Sequence, residues 1–482
     1  MNYRMICRVL GLILLSLAAL LLLPLIAGLC FRENVTNFLL TMGIAAALGG
    51  LLMLPRPRSR GLVARDGFVI VGLGWVLISL IGALPFFFSG SIPHYYDALF
   101  ETASGLSTTG ATVVTDIGGM AQNYRGDMFW RLFTHWIGGM GVLVFLMAVL
   151  PMSGEHSMHI MRAEVPGPSV GKLVPRVRKT AMTLYLIYIA LTVLEAVFLR
   201  LGGMSFYDAL LHACATAGTG GFSTNPESIG GFHSLYIELV TAVFMLLFGI
   251  NFNLYYLLLI GRWKDAAKNE ELHWFLGIVA CSVLGLAAGI SKLYGSFAVA
   301  LRHAFFNTAT ILSTTGFGTV DFTDWPEYCK WILLLLMFCG GCAGSTGGGI
   351  KLSRLMILGK AAVSELKQMV RPRSVERVQM DGKRVESGTV RAAFLFLTVY
   401  SFLLILFAAL VSLDGFDVAT CFTASLSCLS NIGPGMTKLI GPMGSFAIFS
   451  PRTKLLLTLA MLLGRLEIYP ILVLLIPRTW KK

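Results

Sequence analysis

Ser107-Thr108-Thr109-Gly110-Ala111 follows an apolar stretch of helix length, and three segments of similar character recur downstream. They are Gly218-Thr219-Gly220-Gly221-Phe222, Ser313-Thr314-Thr315-Gly316-Phe317 and Ser430-Asn431-Ile432-Gly433-Pro434. Taking Gly110, Gly220, Gly316 and Gly433 as the matching glycines gives intervals of 110, 96 and 117 residues. A period of that size holds two membrane helices and a re-entrant loop, so the pattern implies fourfold pseudosymmetry about one pore.

Composition supports a membrane setting. Hydrophobic residues make up 56% of the 482-residue chain and charged residues 13%, and the mean hydropathy is +0.76, far from the balance of a water-soluble domain. Stretches able to cross a hydrocarbon core of about 30 Å fall at 7–31, 36–54, 67–88, 128–151, 180–201, 235–260, 273–291, 329–350, 391–413 and 453–476. The expected fold is therefore all-α and polytopic, with about ten transmembrane helices and four helix–loop–helix repeats around one axis. The expected divisions are two additional helices in 1–66, a first repeat in 67–152, a second in 153–262, a third in 263–360 and a fourth in 361–482. The run after Arg4 and Arg8 is longer than a secretory apolar region and lacks a small-x-small cleavage site, so it reads as a retained helix.

Charge placement predicts orientation. With the N-terminus in the cytoplasm, the cytoplasmic segments hold 27 of the 38 Lys and Arg residues, which places both termini inside. The net charge of +13 is accounted for by these juxtamembrane cations, and no nucleic-acid motif accompanies them. Nine scattered cysteines give no disulfide framework, and Cys339-Gly-Gly-Cys342 reads as small residues permitting close packing. His135, His212 and His303 lie in different repeats without metal or nucleophile spacing, which excludes an enzyme site and leaves structural hydrogen bonding as their role.

Each repeat contains an apolar piece too short to span, at 96–107, 207–217, 299–313 and 418–430. Such a piece enters and leaves on one face, and irregular backbone at membrane depth is tolerated only inside protein or along an aqueous cavity. Four loops around one axis can offer carbonyl oxygens in place of a cation's hydration shell, with the partially negative helix C-termini aimed at the same point. Thr108, Thr109 and Thr315 can add hydroxyl oxygens. The residues after the four glycines, Ala111, Gly221, Phe317 and Pro434, do not reproduce the two-glycine TVGYG loop, so a shorter and less strict filter is expected.

Together with the run Gly340-Gly-Cys-Ala-Gly-Ser-Thr-Gly-Gly-Gly349 and Leu463-Gly-Arg-Leu-Glu467, these loops resemble the bacterial Trk/Ktr potassium-uptake family, closest to its TrkH/TrkG branch. The resemblance spans essentially the whole chain, including the two extra N-terminal crossings. It implies an inner-membrane homodimer with one pore per subunit, potassium as the transported and bound ion, no organic cofactor, surrounding membrane lipid and no nucleic acid. It also implies a separate ring of nucleotide-binding subunits of the TrkA type. Carried over by position, the filter cations are held by Thr108, Thr109 and Gly110, by Gly218, Thr219 and Gly220, by Thr314, Thr315 and Gly316, and by Asn431, Ile432 and Gly433.

The family resemblance further implies that the loop containing Gly344, Ser345, Thr346, Gly347, Gly348 and Gly349, followed by Lys351, gates the pore. The competing reading of these glycines is a close helix–helix interface. The Walker-type spacing fails because Ile350 precedes Lys351 and Leu352 follows it. Arg465 lies mid-stretch, where a lone cation costs at least ~2.5 kcal/mol; the resemblance implies a pore barrier, and an ion pair with Glu467 is the alternative. Asp116 and Asp321 read either as mouth carboxylates that gather cations or as ordinary loop acids. A sodium- or proton-coupled carrier is the rival mechanism.

Overall fold

The computed structural model describes residues 1–55, 63–141, 177–372 and 377–480. The protein is an all-α polytopic membrane protein, and the strands among the described residues are one two-residue hairpin, Gln379–Met380 against Lys383–Arg384. Six described helices are long and apolar enough to cross a bilayer: Tyr3–Cys30, Thr36–Met53, Arg65–Ser89, Ala181–Leu201, Glu270–Tyr294 and Ser387–Asp414. The N-terminal pair meets through glycine: a Cβ on Gly11 would lie 2.6 Å from the Gly49 carbonyl oxygen, and one on Gly49 would lie 2.9 Å from that of Gly11. Small residues allow this approach where lipid gives helices no hydrophobic reason to associate.

The remaining expected crossings are broken helices. Four helices follow the glycine loops, Arg125–Gly139, Leu235–Gly249, Glu327–Phe338 and Pro451–Arg465, with 15, 15, 12 and 15 residues. At 1.5 Å per residue each covers roughly 18–23 Å, less than the apolar thickness of a bilayer. The expected crossing at 128–151 runs into 142–151, which lies outside the described residues, as do most of the expected cytoplasmic segments 55–66 and 153–179. The second of these helices turns by 90° into Phe252–Leu259, the third opens into the glycine loop, and the fourth stops at Glu467 and Ile468, both at positive φ (52° and 70°). Apolar length alone does not register such a break, because the side chains on either side of it stay apolar.

The four breaks supply one another's hydrogen bonds. Arg465, on the fourth helix, donates to the carbonyls of Gly138 (2.5 Å) and Gly139 (2.6 Å) at the end of the first, and to Thr346 (2.8 Å) in the loop after the third. That loop returns to the second helix, where the Cys342 N–H reaches the Gly249 carbonyl at 2.9 Å and Thr346 reaches Phe248 through its N–H and its hydroxyl. A main-chain group with no partner in an apolar setting costs several kcal/mol. The interrupted helices therefore hold together as one layer.

Candidate ion pathway

Above that layer, the short helices Tyr95–Leu106, Phe206–Ala217, Phe297–Leu312 and Val418–Ser430 end at the four glycine loops. Three close alike: Thr109, Gly220 and Thr315 donate their N–H to Ser104, Ala215 and Thr310, while Thr108, Thr219 and Thr314 donate to Gly105, Thr216 and Ile311. These paired bonds form the Schellman ending, which requires a left-handed residue. Thr108, Thr219, Thr314 and Asn431 hold φ of 58°, 54°, 59° and 55°. In the fourth loop, Ile432 keeps the longer bond, to Ser427. For a β-branched threonine this conformation is an outlier, with strain of order 1–3 kcal/mol that the surrounding packing must offset.

The same geometry corrects the register of the second loop. Two residues beyond each left-handed residue stand Gly110, Gly221, Gly316 and Gly433, with φ of 80°, 81°, 88° and 105°. The matching glycine is thus Gly221, not Gly220. Gly220 is small for a different reason, since a Cβ there would lie 2.1 Å from the His135 ring. His135 itself is fixed by the Gly105 carbonyl (2.8 Å) and by the Phe222 N–H (3.2 Å). Two adjacent glycines with separate duties make the register ambiguous in the sequence.

The loops close into a ring in chain order. A Cβ on Gly110 would meet the Gly220 carbonyl oxygen at 2.0 Å, one on Gly221 that of Thr315 at 2.2 Å, one on Gly316 that of Ile432 at 2.1 Å, and one on Gly433 that of Thr109 at 2.8 Å. Each glycine thus lies against the carbonyl one residue before the glycine of the next loop, and the last loop returns to the first. Among the described residues, no hydrogen bond reaches the carbonyl oxygens of Thr108, Thr109, Thr219, Gly220, Thr314, Thr315, Asn431 or Ile432, and all eight residues are buried. Buried main-chain acceptors are normally paired, so eight such oxygens, two from each of four loops that close into a ring, form a set suited to a cation. Gly110, Gly221, Gly316 and Gly433 together line a cavity of about 280 Å³ at the mouth.

A buried ion pair braces this mouth. Glu101, on the first short helix, receives Arg131 Nε at 2.6 Å, the Thr112 hydroxyl at 2.9 Å and the Val113 N–H at 2.9 Å. Arg131 also donates to the Ser223 carbonyl (3.2 Å) and lies 3.6 Å from the centre of the Phe222 ring, joining the chain beyond the first loop to that beyond the second. His212, in the second short helix, holds Ser223 Oγ at 2.9 Å. A charged pair in apolar stretches was a visible signal in the sequence, but its partners were not. Asp116 caps the helix that starts at Ile117 by accepting from Gly119 (2.8 Å), and Asp321 accepts from Thr323 (2.9 Å), so both have local work as caps.

Beneath the ring, the loop of Gly344 to Gly349 reaches the third and fourth glycine loops. The Gly348 N–H donates to Thr314 Oγ1 at 2.7 Å, and Cβ atoms on Gly347 and Gly348 would lie 2.9 and 2.6 Å from the Ser313 and Ser430 carbonyls. Lys351 turns back to donate to Gly347 and to Ser345 Oγ. Glu467 is held by Arg354 through two bonds of 3.0 and 2.5 Å, while Arg465 spans the carbonyls of the first and third repeats. The residues expected to form a filter and those expected to form a barrier therefore lie in two successive layers.

An all-α membrane bundle with a closed ring of re-entrant loops places the chain among membrane transport proteins. It belongs to the TrkH family of cation transport proteins, whose model matches residues 34–289 and 291–482, a family of transporters and not of enzymes. The chain is 36% identical over 494 residues to the Trk system potassium uptake protein TrkH of Salmonella typhimurium, covering 100% of both. It is 34% identical over 491 residues to TrkG of Escherichia coli K12, covering 100% of this chain and 99% of the relative. The crystal structure of the potassium transporter TrkH from Vibrio parahaemolyticus superposes with a TM-score of 0.89 at 34% identity, covering 100% of each chain.

The two second-loop glycines separate in a double-mutant cycle. Gly220→Ala is expected to lower the thermal midpoint, and adding it to His135→Ala is expected to cost little more, because the three nearest atoms to the new Cβ all belong to the His135 ring. Gly221→Ala meets main chain and is expected to be as damaging with His135→Ala as without it. Equal rescue of both, read by thermal unfolding of the purified protein, would reject the register.

Proposed function

We propose that the chain takes up potassium across the bacterial inner membrane through a channel-like pore, with both termini in the cytoplasm. The observation that carries this reading is the closed ring of four loops of one polypeptide, with eight buried residues whose carbonyl oxygens receive no hydrogen bond among the described residues. A potassium ion passing through exchanges its hydration shell for these oxygens, helped by the negative ends of four short helices. The filter is formed by Thr108, Thr109 and Gly110, by Thr219, Gly220 and Gly221 after Gly218, by Thr314, Thr315 and Gly316, and by Asn431, Ile432 and Gly433. The loop from Gly344 to Gly349 with Lys351 is the gate, and Arg465 is the electrostatic barrier below the filter. The four repeats occupy 67–152, 153–262, 263–360 and 361–482, after two additional helices in 1–66.

The relatives' names as parts of a Trk potassium-uptake system support a multi-component assembly, in which two copies of this chain work with a nucleotide-binding subunit of the TrkA type. Uptake of radioactive rubidium or potassium into vesicles holding the purified chain, with and without that subunit, tests the reading. Unitary current steps support a channel, and a fixed ratio of potassium to co-transported sodium or protons rejects it in favour of a carrier.

Two further outcomes are expected. Arg465→Gln removes the charge and leaves one amide group, with two N–H donors, where the guanidinium served the carbonyls of Gly138, Gly139 and Thr346, so cation flux should rise by about tenfold, equal to ~1.4 kcal/mol of barrier. Unchanged flux in normally folded protein contradicts the barrier role. Because two of the four loops depart from Thr-Thr-Gly, bi-ionic reversal potentials should show potassium preferred and sodium still measurably permeant. Complete sodium exclusion contradicts a filter of this kind.

A further inference from the structure

Glu271 is a buried carboxylate in the first turn of the helix Glu270–Tyr294, on a segment that belongs to neither the filter nor the loop beneath it. One of its oxygens, Oε1, accepts two main-chain bonds, from the Ala343 N–H at 2.8 Å and from the Ser353 N–H at 3.0 Å. These amides flank the glycine loop, one just before it and one at the start of the helix Leu352–Val370. The neighbouring Glu270 pairs with Lys360 on that same helix. Bonds from Gly340 N–H to the Ile350 carbonyl (2.8 Å) and from Leu352 N–H to the Gly341 carbonyl (3.3 Å) draw the two sides of the loop's neck together.

Inside this neck the backbone changes hand twice. Gly344 has φ of 71° and Gly349 φ of 68°, and the residues between them carry the contacts to Thr314 and Arg465. One carboxylate thus holds both feet of the loop, while its tip is held separately, by Arg465 at Thr346 and by Lys351 at Gly347.

We propose that Glu271 is a positioning residue that pins both feet of the gating loop, so that opening moves only residues 345–348, about hinges at Gly344 and Gly349. This rests on the gating role given to the loop above. Glu271 has no contact with the permeant ion; it fixes the frame against which a four-residue flap can swing, and so limits the motion that transmits a signal from the helix Leu352–Val370.

Cys342, beside the first foot and 1% exposed, is a built-in reporter. In a variant keeping Cys342 and replacing the other eight cysteines, labelling by a water-soluble methanethiosulfonate is compared with rubidium flux in vesicles. Glu271→Ala is expected to speed labelling at least tenfold and to raise unstimulated flux several-fold. Glu271→Gln, whose amide oxygen can accept both N–H groups, is expected to keep both near the parent level. Labelling unchanged in Glu271→Ala, or equally fast in Glu271→Gln, overturns the pinning. Faster labelling with unchanged flux supports the pin and rejects the gate. Should Glu271→Ala not fold, hydrogen exchange in Arg465→Gln decides: slow exchange at Ala343 and Ser353 beside fast exchange at 345–348 supports the pin, and fast exchange at both feet overturns it.

Discussion

Main-chain groups at membrane depth have no water to turn to, and four interrupted helices leave many of them without a helical partner. The chain meets this constraint by bringing the interruptions together. Arg465 serves carbonyls from two other repeats, and the loop after Phe338 serves the second repeat while it is itself served by the fourth. No single break would be stable facing lipid. The fourfold arrangement is thus a solution to hydrogen-bond accounting as well as a consequence of repetition.

One layer higher, the accounting is left open. The short helices end in turns that hold a threonine or an asparagine in a left-handed conformation, three of them with the paired bonds of a Schellman ending, and the carbonyls that follow receive no donor among the described residues. Strain and unmet acceptors in the same dozen residues mark a place where function opposes stability. The buried Glu101–Arg131 pair, 2.6 Å apart, ties the chain beyond two of the loops. Removing one partner of such a pair typically costs about 3–5 kcal/mol, so the mouth is held by a contact that resists piecemeal change.

Much of this was legible in the sequence. Hydropathy and the recurring glycine segments carried the all-α membrane class, the four loops and the resemblance to the family to which the chain belongs. Helix ends were less accessible: the return helices near 139, 250, 338 and 465 stop inside apolar runs, and composition does not reveal where a helix loses its hydrogen bonds. Gly220 and Gly221 show the limit most plainly. Both had to be glycine, one to clear the His135 ring and one to adopt a left-handed turn against a neighbouring carbonyl, and only the backbone tells them apart. Glu271 gave no sequence signal, because an acidic residue in a first helical turn is ordinary and its bonds run to residues 72 and 82 positions away.

The central claim is that the four loops jointly hold a bare monovalent cation. Anomalous scattering from crystals of this protein grown in rubidium addresses it directly. The expected result is a peak on the pseudo-fourfold axis, surrounded by the carbonyl oxygens of residues 108–109, 219–220, 314–315 and 431–432. A ring with no peak, in crystals where rubidium is bound elsewhere, would contradict the account.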